Sequence, residues 1–157
     1  MPSRSAIALL KEDHKKVREL LEDLAESNGR STSKRAKLLA EIAHELRVHT
    51  QVEEEIFYPA FRDAARKKEH SKLYFEALEE HHVVDMFLPE IESTDPSAED
   101  FPAKAKVLKD LVEHHAREEE REMFPAAREL FERGELAELG ARLEERKEAL
   151  LGAAAAG

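Results

Sequence analysis

Two histidine–glutamate pairs in this 157-residue chain have a spacing that suits metal binding. Glu53 follows His49 by four residues, and Glu119 follows His115 by four. Residues four apart on a helix lie on one face, about one turn from each other. Such a pair can bind the same ion or two neighbouring ions, so the pattern predicts a metal site made of imidazole and carboxylate groups.

Both pairs belong to an internal repeat. The segments HTQVEEEIFYP and HAREEEREMFP begin at His49 and His115, and each ends in a proline six residues after the glutamate. Two further histidines, His14 and His81, lie 67 positions apart on earlier segments of the two halves. A single His-x-x-x-Glu is usually an exposed helical pair, but a repeated one on two apolar helix faces predicts a pseudo-symmetric site in a bundle core.

The repeat supplies six candidate ligands, four imidazoles and two carboxylates: His14, His49, Glu53, His81, His115 and Glu119. A carboxylate has two oxygens and can bridge two ions, and a histidine-rich set with bridging carboxylates suits paired iron or manganese. Six ligands for two ions leave positions open for water, hydroxide, dioxygen or peroxide. We therefore expect open coordination positions in the bundle core.

Two of the candidate histidines have a histidine as neighbour, in His81-His82 and His114-His115, so one member of each doublet has to be selected as the ligand. His115 follows the apolar series of Leu108 and Leu111, whereas His114 falls on a more polar face. His81 is favoured over His82 by the repeat offset, although the face of His82 is nearly as apolar. We expect His44 and His70 to be solvated. The repeat's other glutamates are also expected to be solvated, with one of them a candidate acceptor of a hydrogen bond from a ligand: Glu54, Glu55, Glu118 and Glu120.

Helical periodicity places these residues on four long helices. The apolar spacing predicts helices over residues 5–27, 34–67, 71–92 and 101–131, with Pro59 and Pro125 expected to kink or shorten the second and fourth. A shorter helix is expected over 135–151, followed by a frayed tail. Short links favour an all-α, antiparallel up-down four-helix bundle over residues 1–132, with the additional short C-terminal helix and tail of residues 133–157 in the same domain.

Composition excludes several classes of function. The chain has no cysteine, which excludes thiolate metal sites and thiol catalysis, and its net charge of −10 disfavours binding to nucleic acid. No apolar run is long enough to cross a membrane, and the N-terminus lacks the features of a signal peptide. We expect a cytoplasmic protein that has no membrane partner and is a monomer or a weak homodimer.

At these positions the chain resembles the hemerythrin-like family, also called the HHE cation-binding domain. The resemblance covers roughly residues 5–130 and is carried by short motifs in order: Asp13-His14, His49 with Glu53-Glu54 and Pro59, Glu80-His81, and His115 with Glu119-Glu120 and Pro125. It implies a di-iron centre with an oxo or hydroxo bridge. Glu53 and Glu119 would bridge the irons, and the four histidines would be terminal ligands.

One departure from the family pattern bears on function. Oxygen-carrying hemerythrins have a fifth histidine, from a His-x-x-x-His pair on the third helix, whereas here Ala77 precedes His81 by four residues. The resemblance therefore favours binding or sensing of dioxygen, nitric oxide or iron over reversible oxygen carriage. The alternative is a di-iron oxidoreductase that decomposes hydrogen peroxide. Asp85, Tyr58 and Tyr74 are candidates for a vacant coordination position.

Overall fold

The computed structural model describes residues 4–156, and their side chains as far as residue 153. Residues 1–3 of the N-terminal segment and residue 157 of the expected tail lie outside the described residues. The described part contains helices and no strand. Their bounds are α1 (Ala6–Glu26), α2 (Thr32–Val52), π1 (Glu53–Phe57), α3 (Tyr58–Ala64), α4 (Lys68–Glu92), α5 (Phe101–Glu118), π2 (Glu119–Met123), α6 (Phe124–Leu130) and α7 (Arg133–Ala156).

Four long helices form the expected antiparallel bundle. The helix α1 packs against α2 and α5, and α4 packs against α2 and α5. Along each long helix an apolar stretch comes before the candidate ligand and another after it. On α1, for example, Leu10 lies in one hydrophobic cluster and Val17 in a second, with His14 between them. The bundle core is therefore two apolar layers separated by one polar layer.

A π-helical turn precedes each of the prolines that were expected to kink or shorten a helix. The helix formed by α2, π1 and α3 stays in the right-handed helical region through Pro59, and the amide of Tyr58 donates to the carbonyl of Glu53, five residues earlier. Phe124 donates to Glu119 in the same way before Pro125. Proline cannot donate a backbone hydrogen bond, and the wider turn accommodates this without ending the helix. Each π-helical turn begins at a candidate bridging glutamate.

The C-terminal helix is longer than the sequence predicted. It begins at Arg133 and runs to Ala156, through most of the segment expected to fray. Leu136, Leu139 and Leu143 join the hydrophobic cluster formed near the start of α1. Gly140 allows this close approach, because a Cβ there would lie 1.9 Å from the carbonyl oxygen of Arg4. The helix α7 thus packs on α1, α2 and π1.

Candidate metal centre

The polar layer brings the six predicted residues together from four helices. They are buried, with relative exposures of 5% for His14, 5% for His49, 0% for Glu53, 2% for His81, 7% for His115 and 2% for Glu119. The competing histidines point outward, since the side chains of His82 and His114 are 64% and 66% exposed. The register favoured by the repeat is therefore the one that faces the core.

The four histidines form two pairs, here called pair A (His14 and His49) and pair B (His81 and His115). Ring centroids are 5.1 Å apart in pair A and 4.6 Å apart in pair B. Each glutamate reaches both pairs. Glu53 Oε1 lies 3.0 Å from Nε2 of His49 and 3.2 Å from Nε2 of His81.

Glu119 is placed in the same way as Glu53. Its Oε1 lies 3.1 Å from Nε2 of His14 and 3.2 Å from Nε2 of His115. Two carboxylates between two histidine pairs form an arrangement that could hold metal ions.

Every histidine of the two pairs donates Nδ1–H to a carboxylate. The distances are 2.7 Å for His14 to Glu120, 2.8 Å for His49 to Asp13, 3.0 Å for His81 to Glu54 and 2.7 Å for His115 to Glu80. We call these four acceptors the supporting carboxylates. Because an ionised carboxylate only accepts, the proton must be on Nδ1, which leaves the Nε2 lone pair of the neutral ring free for an ion. Such partners also fix the ring orientation.

The carboxylates raise the pKa values of the histidines when no ion is bound. Burial by itself would lower the pKa of His49, but the charge of Glu53 and the hydrogen bond to Asp13 raise it to about 10. Burial also lowers the pKa of His14, but its hydrogen bonds to Glu119 and Glu120 outweigh this effect and raise the pKa above its ordinary value. Protons and metal ions therefore compete for the same Nε2 atoms.

The donor set fits metal ions. Nε2 of His81 and Nε2 of His115 are 3.0 Å apart, and in the neutral tautomer both carry lone pairs. Among the described residues, His49 Nε2 and Glu53 Oε2 are buried without a hydrogen-bond partner. Two donors bound to one cation at about 2.1 Å and at a right angle would lie about 3.0 Å apart. Cations would thus satisfy the unpaired atoms at the spacing that the side chains already have.

A tyrosine hydroxyl also lies in the layer. Tyr58 Oη is 2.9 Å from Glu119 Oε2 and 3.1 Å from His81 Nε2. Burial and the charges of Glu119 and Glu53 raise the pKa of Tyr58 well above its ordinary value, so the hydroxyl stays protonated. Of the other two candidates, Asp85 is exposed and Tyr74 packs edge-on against the ring of Tyr58 at 6.4 Å.

A small apolar cavity borders the histidines on the side away from Tyr58. Its volume is about 20 Å³, and its lining residues are Asp13, His14, Val17, Leu46, His49, Thr50, His81, Val84, Val112, His115 and Ala116. A water molecule needs about 10–15 Å³ on the same measure. The cavity therefore has room for one or two molecules of that size, and none for an organic substrate.

Sequence reasoning missed part of the support around the ligands. The sequence predicted that Glu54, Glu55, Glu118 and Glu120 are solvated, with one candidate acceptor among the four, whereas both Glu54 and Glu120 accept from histidines. It gave no role to Asp13 and Glu80, although an acidic residue precedes the histidine in both halves of the repeat. The expectation for His70 was wrong, since this residue is buried and its Nδ1 accepts from the amide of Arg66 at 3.2 Å.

Comparisons with known proteins agree with this geometry. The chain is similar to a hemerythrin HHE cation binding domain-containing protein from Mycobacterium kansasii, with 32% identity and a TM-score of 0.84, covering 96% of this chain and 90% of that one. It is also 32% identical over 120 residues to a protein named DNA nickase from Nostoc sp. (strain PCC 7120 / SAG 25.82 / UTEX 2576). That match covers 76% of this chain, which spans about a third of the length of the Nostoc protein.

A family model also matches most of the chain. The model described as hemerythrin HHE cation binding domain matches residues 5–127, which include both histidine pairs, both glutamates and all four supporting carboxylates. None of the described helices is both long and apolar enough to span a membrane. The chain belongs to the hemerythrin HHE cation binding domain family.

Proposed function

We propose that this protein holds two iron ions between pairs A and B, bridged by Glu53 and Glu119, and that the centre binds or senses dioxygen, nitric oxide or iron itself. One observation carries the proposal: four Nε2 atoms and two carboxylates converge in a buried layer, and each histidine is fixed through Nδ1 by a carboxylate. Bound iron would supply redox chemistry and open positions for a small ligand.

The cavity supports a small uncharged ligand. Its walls beside the histidines are valine, leucine and alanine side chains, and its size suits one or two atoms of ligand rather than an organic molecule. An apolar cavity favours dioxygen or nitric oxide over charged species, because burying an unpaired charge is costly. The chain's own residues thus select by size and polarity.

Titration of the reduced, iron-loaded protein with dioxygen and nitric oxide tests this proposal. We expect each gas to change the iron absorption spectrum of the wild type and of His82→Ala and His114→Ala. The variants His81→Ala and His115→Ala should lose the response together with iron. These pairs are matched, since each control replaces the neighbouring exposed histidine. A wild-type spectrum that neither gas changes would rule out binding of these ligands.

Peroxide decomposition is the second candidate, and Tyr58 favours it. Its protonated hydroxyl lies beside both glutamates and can donate a hydrogen bond to an oxygen species in the layer. In the reaction, two hydrogen peroxide molecules give two water molecules and one dioxygen. Oxygen evolution that is present in the wild type and absent in the His49→Ala, His115→Ala double variant would support it. Equal rates in the two proteins would reject it.

DNA cleavage is not proposed for this chain. The match to the Nostoc protein spans about a third of that protein, so its named activity need not lie in the shared segment. The net charge of −10 also opposes binding to a phosphate backbone. We expect no retention of this protein on duplex DNA at about 0.15 M salt, where exposed charges more than about 8 Å apart are screened.

A further inference from the structure

The two halves of the centre are equivalent in their ligands but not in the charges behind them. Asp13 and Glu80 occupy equivalent places in the repeat, as do Glu54 and Glu120. Asp13 supports His49 of pair A, whereas Glu80 supports the equivalent histidine of pair B. The other two contacts join the two halves: Glu120 of the second half supports His14, and Glu54 of the first half supports His81. One difference between the pairs is the hydroxyl of Tyr58, which lies 3.1 Å from Nε2 of His81 and is replaced by Phe124 in the other half. A second difference lies in the residues around these carboxylates.

Both supporting carboxylates of pair A contact a fixed positive charge. The free oxygen of Asp13 pairs with the ammonium group of Lys147 on α7. Glu120 accepts two hydrogen bonds from Arg18, at 2.9 Å from Nη1 and 3.0 Å from Nη2. The same guanidinium binds Glu113 at 2.7 Å through Nε. Each carboxylate behind pair A is thus one member of an ion pair.

The carboxylates of pair B have no such cation. In the described part of the chain, no lysine or arginine nitrogen lies within 4.0 Å of the carboxylate of Glu54 or Glu80. The second partner of Glu80 is the imidazole of His114, at 3.0 Å, a side chain that carries no fixed charge. Glu54 borders a surface pocket together with Asp85 and Arg47.

The repeat explains this difference as an exchange of charge. Asp85 stands 67 positions after Arg18, so an acid occupies the place beside Glu54 that an arginine occupies beside Glu120. Arg47 stands 66 positions before Glu113, so at this second pair of equivalent positions the first half has the cation and the second half has the acid. Arg47 forms an ion pair with Glu92, 3.0 Å away through Nη1, rather than with a supporting carboxylate. The guanidinium group therefore contacts a supporting carboxylate at pair A and a different acid at pair B, so the supporting carboxylates of pair B keep more of their negative charge.

A supporting carboxylate makes an imidazole a stronger ligand, and a cation paired with that carboxylate weakens the effect and repels the metal ion. We propose that the two ions are held unequally: His81 and His115 hold theirs tightly, and His14 and His49 release theirs first. This inference rests on the proposed two-ion centre. It makes pair A the part of the protein that responds to iron supply, with a one-ion form when iron is scarce.

Chelator competition on the zinc-loaded protein tests the order of release. Zinc suits the same imidazole and carboxylate ligands and is not redox-active. We expect two release steps whose dissociation constants differ about tenfold or more, the lower limit of the effect of changing a ligand's hydrogen-bond partner. Histidine nitrogen NMR should show Nε2 of His14 and His49 losing the metal first. A single step, or first release from His81 and His115, would overturn the inference.

Charge variants test the cause of the difference. Arg18→Gln should tighten the weaker site several-fold and bring the two constants closer. Arg117→Gln is the matched control, because Arg117 contacts Glu113 at 3.4 Å without reaching a supporting carboxylate. Asp85→Arg should weaken the tighter site. Unchanged constants in both Arg18→Gln and Asp85→Arg would refute the charge argument.

Failure of this inference can be told apart from failure of the proposed function. If the wild type binds two zinc ions with equal constants, the inference is wrong and the two-ion centre stands. If it binds fewer than two, both are wrong.

Discussion

Replacing Asp13 with alanine should weaken the metal centre without dismantling the bundle. Asp13 is 4% exposed and accepts from Nδ1 of His49 at 2.8 Å, so the substitution removes the group that fixes this ring. Loss of such a partner typically costs 10–100-fold in metal affinity, which is about 1.4–2.7 kcal/mol. The side chain of Lys147 is 24% exposed and can turn to water, so we expect no buried, unpaired charge from that side.

The effect should depend on how far water can replace the lost acceptor. The side chain of Glu54 is 42% exposed, so in Glu54→Ala water can accept from His81 Nδ1. We expect a loss near or below about tenfold there, at the lower end of the range for such partners. Asp23→Ala is the matched control for Asp13→Ala, because Asp23 lies on α1 and is exposed.

Zinc affinity of the three variants, measured by chelator competition, provides the assay. Circular dichroism of each protein establishes that the helices are intact. For each variant we compare the loss of zinc affinity, relative to the wild type, at the pair that the replaced residue supports. The loss should be absent in Asp23→Ala, small in Glu54→Ala and largest in Asp13→Ala. Equal affinities for Asp13→Ala and Asp23→Ala in folded protein would refute the argument that Asp13 supports a ligand.

Four further predictions rest on the geometry. Tyr58→Phe should leave metal content unchanged, because a phenylalanine, Phe124, fills the equivalent place in the repeat. It should slow peroxide consumption if that reaction occurs; equal rates would remove Tyr58 from it. In the metal-free protein, the raised pKa of His49 contributes stability that is complete below about pH 6.5 and is lost as the pH rises toward about 10, which urea denaturation at several pH values measures. Metal uptake at pH 7 should release protons into a weak buffer. Gly140→Ala should lower the free energy of unfolding by about 1–3 kcal/mol, since its Cβ would overlap the carbonyl oxygen of Arg4, whereas Gly134→Ala has nothing within 4 Å and should cost nothing.

The helices and the ligand register could be predicted because their signals are local and repeated. Apolar spacing fixes which face of a helix is buried, and the offset between halves selected His81 over His82. The structure places the selected histidine in the core and the other in solvent. The prolines marked where the helices depart from regular α-helical geometry, but the sequence does not reveal that the departure is a π-helical turn before Pro59.

The support around the ligands could not be predicted, because it depends on contacts between distant segments. Glu120 reaches His14 across 106 positions of the chain, and Lys147 reaches Asp13 across 134. Lysine on an exposed helix face is ordinarily a solvated charge, so Lys147 carries no local sign of its role. Only the packing of α7 against α1 brings it to the centre.

Metal content and the visible spectrum of the oxidised protein test the central claim most directly. We expect two iron ions per chain and the charge-transfer bands of an oxo- or hydroxo-bridged pair. Both should be lost in His81→Ala and His115→Ala and retained in His82→Ala and His114→Ala. One zinc ion per chain, or iron content that is the same in all four variants, would contradict it.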